Sequence, residues 1–373
     1  MNETGTNTRN QAAEPYAVLS QDNTVLTFFH DSKREERNGM SIGPFNDEDD
    51  ERWGGCSKTI ETVVFDDTFA DCPSIKSTAC WFYGCSNLTT IKEIHNLKTG
   101  NVENMEGMFS GCTRLTSLDL SGFDTGNVED MEGMFDGCSG LASLDLSGFK
   151  TSNVENMSWM FNGCSGLTSL DLRSFDTGNV KDMQGMFDGC SSLKSLDLSG
   201  FDTSNVEDMW CMFKGCSSLT SLDLSGFDTS NVKDMGWMFE GCFGLMSLDL
   251  SGFDTGNVEF MDWMFYNCSS LTRLDLRSFD TGNVEDMEGM FRDCSGLTSL
   301  DLSGFDTSSV KDMAGMFSGC SSLTSLDLSG FDTGNVEDMR RMFRGCSELA
   351  NKYNLEEEDE EKLLLILSTS PKR

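Results

Sequence analysis

The stretch LTSLDLSGFDTSNVKDMGWMFEGC, residues 219–242, decides the fold because almost every letter of it returns 26 positions earlier and 26 positions later. Residues 85–346 of the 373-residue chain are a succession of such copies. A chain of this length commonly divides into two or more domains, whereas a repeat array grows along one axis through contacts between neighbouring copies. We therefore predict one stack of 26-residue coils.

Each copy contains two apolar patterns that suggest its local structure. The spacing L-x-x-L-x-L, which begins at Leu115 in one copy, is the strand signature of leucine-rich repeats. Met131, Met134 and Phe135 then follow at i, i+3 and i+4, which favours a short helical turn that ends at Gly137. The predicted fold class is α/β. We expect a right-handed, leucine-rich-repeat-like solenoid with a parallel sheet on one face and short helical turns on the other.

Three further segments flank the array. Residues 1–14 are polar and are predicted to be flexible. Residues 15–84 are predicted to form a β-rich cap, because YAVLS and TVLTFFHD flank the turn-like QDN as in a β-hairpin and because terminal coils need a shielding segment. Residues 347–373 are predicted to be an acidic tail.

The charge balance restricts the possible partners. Acidic residues number 62 and basic residues 27, so the formal net charge is −35. This excess argues against nucleic acid and against anionic membrane surfaces, which both require Lys and Arg. The late apolar run at residues 363–367 is far too short to span a bilayer, and residues 1–16 show neither the basic nor the apolar region of a signal peptide.

Two columns of identical residues are interpreted as structural. Asparagine recurs at the position of Asn127 and is predicted to bond a neighbouring coil and to begin the helical turn. Cysteine recurs ten times at one phase, and we predict buried, reduced thiols, with disulfides between adjacent coils as the alternative. The ten are Cys112, Cys138, Cys164, Cys190, Cys216, Cys242, Cys268, Cys294, Cys320 and Cys346.

The residues between the leucines of each strand are expected to face solvent and form rows of Ser and Asp. Stacked carboxylates repel each other, and Ca²⁺ could relieve that repulsion; Asp223, Asp249, Asp275 and Asp301 are the candidate cation-binding residues. The alternative is a solvated face without a ligand. We predict no other metal or cofactor and no catalysis, because the only histidines, His30 and His95, lie outside the regular coils.

Aromatic residues interrupt the copying near the middle of the array. Clustered surface Trp and Tyr are typical of protein-binding sites. The alternative is that each ring covers its own coil. The predicted partner-binding residues are Trp159, Trp210, Trp237, Phe260, Trp263 and Tyr266.

The unit LTSLDLSGFDTSNVEDMxxMFxGCSS resembles the 26-residue repeat of BspA-like leucine-rich-repeat surface proteins, and the segments before the array resemble the region that precedes such arrays. The resemblance covers most of the chain. It implies a cell-surface or secreted protein of host-associated bacteria that adheres to extracellular-matrix proteins or to other cells, with no catalytic residues to transfer.

These observations together predict a non-enzymatic protein-interaction scaffold of the adhesin type. Its partner is expected to be a protein on a host or neighbouring cell, without membrane insertion, and the chain is expected to be monomeric. The alternative function is a structural coat protein that binds cations or glycans through the Asp and Ser rows.

Overall fold

Consecutive copies of the repeat lie against each other in the computed structural model, which describes residues 12–45, 52–72, 75–355 and 360–369. The predicted flexible segment 1–14 falls largely outside the described residues, and its last residue, Glu14, begins a strand. An unbroken series of parallel backbone bridges joins each coil to the next. The bridged residues are Ser77, Asn104, Asp130, Asn156, Asp182, Asp208, Asp234, Phe260, Asp286, Asp312 and Asp338.

A four-stranded sheet lies at the N-terminal end of the array, and its last strand belongs to the first copy of the repeat. Strands β1 (Glu14–Leu19) and β2 (Val25–Asp31) are antiparallel, which confirms the predicted hairpin. Strand β3 (Thr62–Phe65) pairs in parallel with β2, and β4 (Thr90–Lys92) pairs in parallel with β3. The short 3₁₀ segments of this region are Arg52–Gly55, Ser57–Thr59, Asp67–Asp71 and Ile94–Asn96.

Aromatic rings connect this sheet to the array. The ring of Phe28 stacks on Phe65 at 4.7 Å and on Trp81 at 5.0 Å between centroids. Phe82 adjoins the same cluster and lies 5.6 Å from Phe109 of the next coil. The core is therefore continuous from the sheet into the stack of coils.

The leucine side of each coil, residues 115–121 in one copy, forms no further regular strand in the described residues after β4 until late in the array. Strands β5 (Ser247–Leu248) and β6 (Arg273–Leu274) form one pair, and β7 (Ser299–Asp301) and β8 (Ser325–Asp327) form another. The leucines are buried throughout. The prediction of one continuous sheet on this side was therefore wrong in extent, since an Asp-capped turn ends each extended stretch after a few residues.

The opposite side, residues 130–138 in one copy, is called the turn side, and the predicted helical turn is absent from it. Alternate N–H groups from Met131 to Gly137 donate to carbonyls of the following coil at 2.7–3.0 Å. The intervening N–H groups close tight turns within their own coil. Gly133 and Gly137 have φ values of 53° and 66°, and a left-handed residue at every fourth position prevents an α-helix from propagating.

The left-handed position of Gly137 confirms one part of the sequence interpretation. Asn267 and Asp293 replace this glycine in two coils and keep φ values of 61° and 59°. Asn and Asp tolerate this conformation better than other residues with a side chain. The pattern of substitution therefore identified the backbone conformation, although the glycine does not end a helix.

Side-chain ladders join the coils at the corner between the two sides. The Asn127 amide donates to Gly100 O of the preceding coil at 2.7 Å, and Ser309, the exception in this column, makes the same bond to Gly282 O at 2.7 Å. The prediction that this column bonds neighbouring coils is confirmed. Its predicted role as a helix N-cap was wrong, because no helix follows.

A buried threonine column, which the sequence interpretation did not single out, forms a second ladder. The Thr125 hydroxyl donates to the backbone carbonyl of Lys150 at 2.9 Å and accepts from the N–H of the same residue at 2.8 Å. All nine hydroxyls of the column donate to a carbonyl of the next coil, and all except that of Thr281 also accept from an N–H there. The column comprises Thr99, Thr125, Thr151, Thr177, Thr203, Thr229, Thr255, Thr281 and Thr307.

The cysteine column is buried, as predicted. The Sγ of Cys138 lies 3.1 Å from Phe109 O and that of Cys190 lies 3.2 Å from Phe161 O, so each thiol donates to a carbonyl of the preceding coil. Burial raises the pKa of Cys138, Cys190 and Cys268 to about 12. These thiols are therefore protonated at neutral pH and shielded from reagents.

We expect the native protein to leave the ten column cysteines unmodified by a thiol reagent at about pH 8. Cys56, which is partly exposed, should react readily, whereas all 15 cysteines should react in denaturant. Mass spectrometry of the alkylated peptides provides the measurement. Adjacent-coil disulfides, or rapid native labelling of Cys216, would contradict the burial seen in the structure.

Two helices follow the last coil, where the sequence suggested only an acidic tail. Helix α1 spans Ser347–Tyr353, and helix α2 spans Glu360–Thr369. Leu349, Leu363 and Leu367 are buried and belong to the same core as the array. The apolar side chains within the acidic segment thus cover the C-terminal end of the core.

Candidate protein-interaction surface

A second left-handed position recurs on the turn side, four residues before that of Gly137. Trp159, Trp237 and Trp263 hold it with φ values of 57°, 59° and 55°. A bulky residue in this conformation costs about 1–2 kcal/mol, so these tryptophans occupy their places against the backbone preference. The column contains glycine in five other coils: Gly107, Gly133, Gly185, Gly289 and Gly315.

Trp159 and Trp210 form the first aromatic cluster. Their ring centroids are 5.7 Å apart in an edge-to-face arrangement, although one complete coil lies between the coils that carry them. The Trp159 ring lies over Gly185 of the intervening coil, where an added Cβ would meet the ring at 2.2 Å. Glycine in the middle coil is therefore what allows the two indoles to meet.

Trp237, Trp263 and Tyr266 form the second aromatic cluster. The two indoles stack with centroids 5.3 Å apart, and the Tyr266 ring packs edge-on against Trp263 at 5.0 Å. The Trp237 Nε1–H donates to Asp262 Oδ2 at 2.8 Å, which fixes the orientation of the ring. The cluster presents a rigid, half-buried aromatic surface.

Two cations lie over this second cluster. The Lys214 Nζ is 4.4 Å from the centroid of the Trp237 ring, and the Arg292 guanidinium is 5.4 Å from that of Trp263. Both distances are within the range of cation–π attraction. The sequence interpretation missed both residues. They stand in the same column as Asp188, so their positive charge replaces a negative one and breaks the repeat.

Exposed apolar side chains also occur in the coils that carry the second cluster. Phe260 is 38% exposed and takes a place that most coils give to Asp. Phe243 and Met246, which follow Trp237 in the chain, are 44% and 61% exposed. Large exposed apolar residues are therefore concentrated in the part of the array that carries the second cluster.

The structure thus brings five of the six predicted site residues together as two clusters on the turn side, which we call the aromatic strip, and places Phe260 on the same side without a ring contact to either cluster. Five of them are half-buried and Phe260 is exposed. The alternative interpretation was that each ring covers its own coil. Trp159 and Trp263 do cover backbone, but that of Gly185 and Gly289 in the following coils. Partner binding by this strip remains a prediction.

Partly buried carboxylates border the aromatic clusters. The Asp234 carboxylate accepts from the N–H of Gly236 at 2.8 Å, and Asp286 accepts from Glu288 N in the same way. Burial raises the pKa of Asp188, Asp234 and Asp286 to about 6. This side of the molecule therefore loses negative charge in mildly acidic solution.

The candidate cation-binding carboxylates lie on the leucine side and are exposed. Asp223 and Asp249 accept backbone N–H groups two residues on at 3.0 Å, and these hydrogen bonds lower their pKa. Asp275 pairs with Arg277 at 2.6 Å, which lowers its pKa to about 2. Each carboxylate is thus stabilised within its own turn.

A shared cation site is not visible among these carboxylates. Within the part of the chain that the structure describes, no three His, Cys, Asp or Glu side chains converge as metal ligands. Asp301 accepts from both the N–H and the hydroxyl of Ser303, at 3.1 and 2.7 Å. Cation binding by this row stays an untested expectation. Separately, no helix among the described residues has the length and apolar character that a membrane crossing needs.

The stacked coils define a repeat protein of the leucine-rich-repeat type, and comparison with known proteins places it in a family. The family described as "Mycoplasma protein of unknown function, DUF285" matches at residues 68–196, 166–273, 190–299 and 261–362. These matches span more than half of the sequence, so the chain belongs to this family. The resemblance to BspA-like leucine-rich-repeat proteins is confirmed.

Solved structures with similarity to this chain are also leucine-rich repeat proteins. One from Bacteroides ovatus is 18% identical with a TM-score of 0.38, covering 90% of this chain and 92% of that one. One from Eubacterium ventriosum is 16% identical with a TM-score of 0.41, covering 90% and 94% respectively. One from T. pallidum is 16% identical with a TM-score of 0.16, covering 95% of each chain. No curated protein matches.

Proposed function

We propose that this chain is a non-enzymatic protein-interaction scaffold of the adhesin type, located at the cell surface or secreted, which binds a protein on a host or neighbouring cell. The coils would form a right-handed solenoid, the hand that parallel crossover connections take in about 98% of cases. A net charge of −35 opposes self-association and supports a monomer.

The aromatic strip carries this proposal. Identical coils present identical surfaces, so a partner can be positioned only where the copying is broken. Trp237 and Trp263 break it in a left-handed position, where glycine would remove the backbone cost. Trp, Tyr and Arg are the residues most enriched among binding hot spots, and Trp263, Tyr266 and Arg292 are packed together here.

The acidic rows support binding more than catalysis. Acid–base catalysis needs groups whose environments give them distinct pKa values and roles. The leucine-side carboxylates Asp223 and Asp249 instead accept equivalent hydrogen bonds, each from the serine two residues on, and their pKa values are shifted in the same direction. Carboxylates in equivalent environments do not acquire the distinct roles that acid–base catalysis needs, and they fit a repetitive binding surface better.

We expect the Trp237→Gly/Trp263→Gly double variant to bind an immobilised extracellular-matrix preparation at least about tenfold more weakly than the wild-type chain. Both substitutions install the residue that most other coils have in this column, so the thermal midpoint should stay constant or rise. Biolayer interferometry gives the affinity, and circular dichroism gives the midpoint.

Cys211→Gly is the matched control, because Cys211 has a φ of 58° in the same column but is fully buried. It changes the backbone preference without removing aromatic surface, so its binding should equal that of the wild type. Retained binding in the double tryptophan variant would contradict the proposal. A large loss of stability in that variant would instead assign the indoles to the core.

A further inference from the structure

An arginine-lined groove lies on the turn side at the C-terminal end of the array. Its volume is about 360 Å³. The chain has only 27 basic residues against 62 acidic ones, so four guanidiniums around one groove depart sharply from the rest of the surface. The four are Arg292, Arg340, Arg341 and Arg344.

Differences in side-chain size between three successive coils create the groove. Ala314, Gly315 and Ser318 of the middle coil form a floor of small residues. Arg292 belongs to the preceding coil, and Arg344 holds the same column in the following coil. Two coil spacings at about 4.8 Å place these walls about 10 Å apart, which leaves room for a small ligand between them.

The four guanidiniums differ in their ion-pair partners. Arg340 pairs with Asp338 of its own turn, and the Arg292 Nε lies 3.5 Å from Asp293 Oδ2. Arg341 and Arg344 are exposed, and among the described residues no carboxylate forms an ion pair with either of them. Two positive charges therefore line the groove without an ion-pair partner among the described residues, and Glu288 is the one carboxylate in the lining.

Arg341 also occupies a strained backbone position. Its φ is 60°, in the column where Gly289 and Gly315 hold the two preceding coils. An arginine there costs about 1–2 kcal/mol relative to glycine. Its exposed side chain gains little from burial in return, so a role in binding accounts for its presence better than packing does.

We propose that this groove binds a tetrahedral oxyanion, a phosphate or sulfate group, either free or as a monoester on a larger molecule. Guanidinium forks match the oxygens of such groups and form paired hydrogen bonds to them. A phosphate monoester carries about −1.5 to −2 charges on three oxygens, which balances two free guanidiniums. A carboxylate and a sulfate monoester each carry one charge, but the sulfate monoester offers three terminal oxygens to the guanidiniums and the carboxylate only two. Glu288 already places one carboxylate in the same groove. The Ser318 hydroxyl on the floor supplies a further donor.

The test is calorimetric titration of the full chain, at low ionic strength, with inorganic phosphate, inorganic sulfate, dextran sulfate and hexaglutamate. The decisive variant is Arg341→Gly/Arg344→Ser, which installs residues that the same columns contain at Gly315 and Ser318. We expect this variant to lose at least about tenfold in affinity for the oxyanions. Tighter binding of dextran sulfate than of free sulfate would assign an esterified ligand; the reverse order would assign the free ion.

Arg173→Ser/Arg277→Ser is the matched control. It removes the same two charges from the leucine side and installs the serine found in other coils. This control should bind as the wild type does. Equal weakening of both variants would reduce the effect to net charge and overturn the proposal. So would the absence of any oxyanion binding, or hexaglutamate binding at least as tightly as dextran sulfate.

Discussion

Replacing Phe213 with alanine is expected to lower the unfolding free energy by about 3–5 kcal/mol, the range for large aromatic truncations in a core. The Phe213 ring is fully buried and stacks on Phe187 and Phe239 at 5.8 Å on either side. The same spacing, 5.6–5.8 Å, continues along the array from Phe82 to Phe343. Removing one ring therefore leaves a cavity that two neighbours border.

Urea denaturation followed by circular dichroism provides the measurement for Phe213→Ala. Repeat arrays can unfold in parts, so the midpoint of the first transition is compared as well as the fitted free energy. Phe243→Ala is the control, because the Phe243 ring is 44% exposed and its loss should change stability by less than about 1 kcal/mol. Similar effects for the two variants would refute a continuous phenylalanine ladder.

Lowering the pH from about 7.5 to about 5 is expected to stabilise the fold by about 1–2 kcal/mol. The pKa of Asp188, Asp234 and Asp286 is raised to about 6 from an ordinary value of 3.8, so the folded chain binds protons more tightly than the unfolded chain. The unfolding free energy therefore falls as the pH rises from the unfolded-state pKa of 3.8 to the folded-state pKa of about 6. A shift of about two units corresponds to about 3 kcal/mol per group over the full window, of which about half is recovered by about pH 5. Partial hydration reduces this to about 0.5 kcal/mol per group.

Thermal midpoints across this pH range test the prediction. Asp188→Asn/Asp234→Asn/Asp286→Asn should be more stable than the wild type at about pH 7.5 and should gain less stability than the wild type when the pH is lowered to about 5. The same columns already contain Asn156 and Asn162, so asparagine suits these turns. The exposed aspartates oppose the trend only at lower pH, because hydrogen bonds from the following turn lower the pKa of Asp223. A wild-type midpoint that falls or stays flat towards pH 5 would contradict this account.

The ends of the chain show how far sequence patterns extend. The hairpin of β1 and β2 was predictable because alternating apolar residues surround a turn-forming triplet, and both signals are local. The burial of Leu363 and Leu367 was not predicted, since the surrounding acidic residues dominate the composition of that segment. Packing against the last coil supplies the apolar contact that composition does not reveal.

The candidate surfaces were only partly predictable. Breaks in a repeated column identified Trp237 and Trp263 directly from the sequence. The arginine groove was not recognised, because its walls come from coils that are far apart in sequence and its floor depends on the small residues of the coil between them. The relation between Arg292 and Arg344 becomes visible only when the coils are stacked.

The repeat itself determined the register of the stack. A column survives only if every copy has the same length. That requirement fixed the burial of the Cys138 column and the bond from each Asn127-type side chain to a neighbouring coil. The residue types allowed at Gly137, Asn267 and Asp293 likewise indicated a left-handed backbone, because few side chains tolerate it. These features follow from covalent geometry and identical spacing.

Only the tertiary structure decided where the hydrogen-bonded ladder lies. Met131, Met134 and Phe135 have helical spacing, yet the left-handed φ at Gly133 interrupts the helix and directs alternate N–H groups to the next coil. Apolar spacing reports which side chains are buried and does not specify the partners of the backbone. Those partners depend on a neighbouring coil 26 residues away, so the ladder formed on the turn side and only short strands formed beside the leucines.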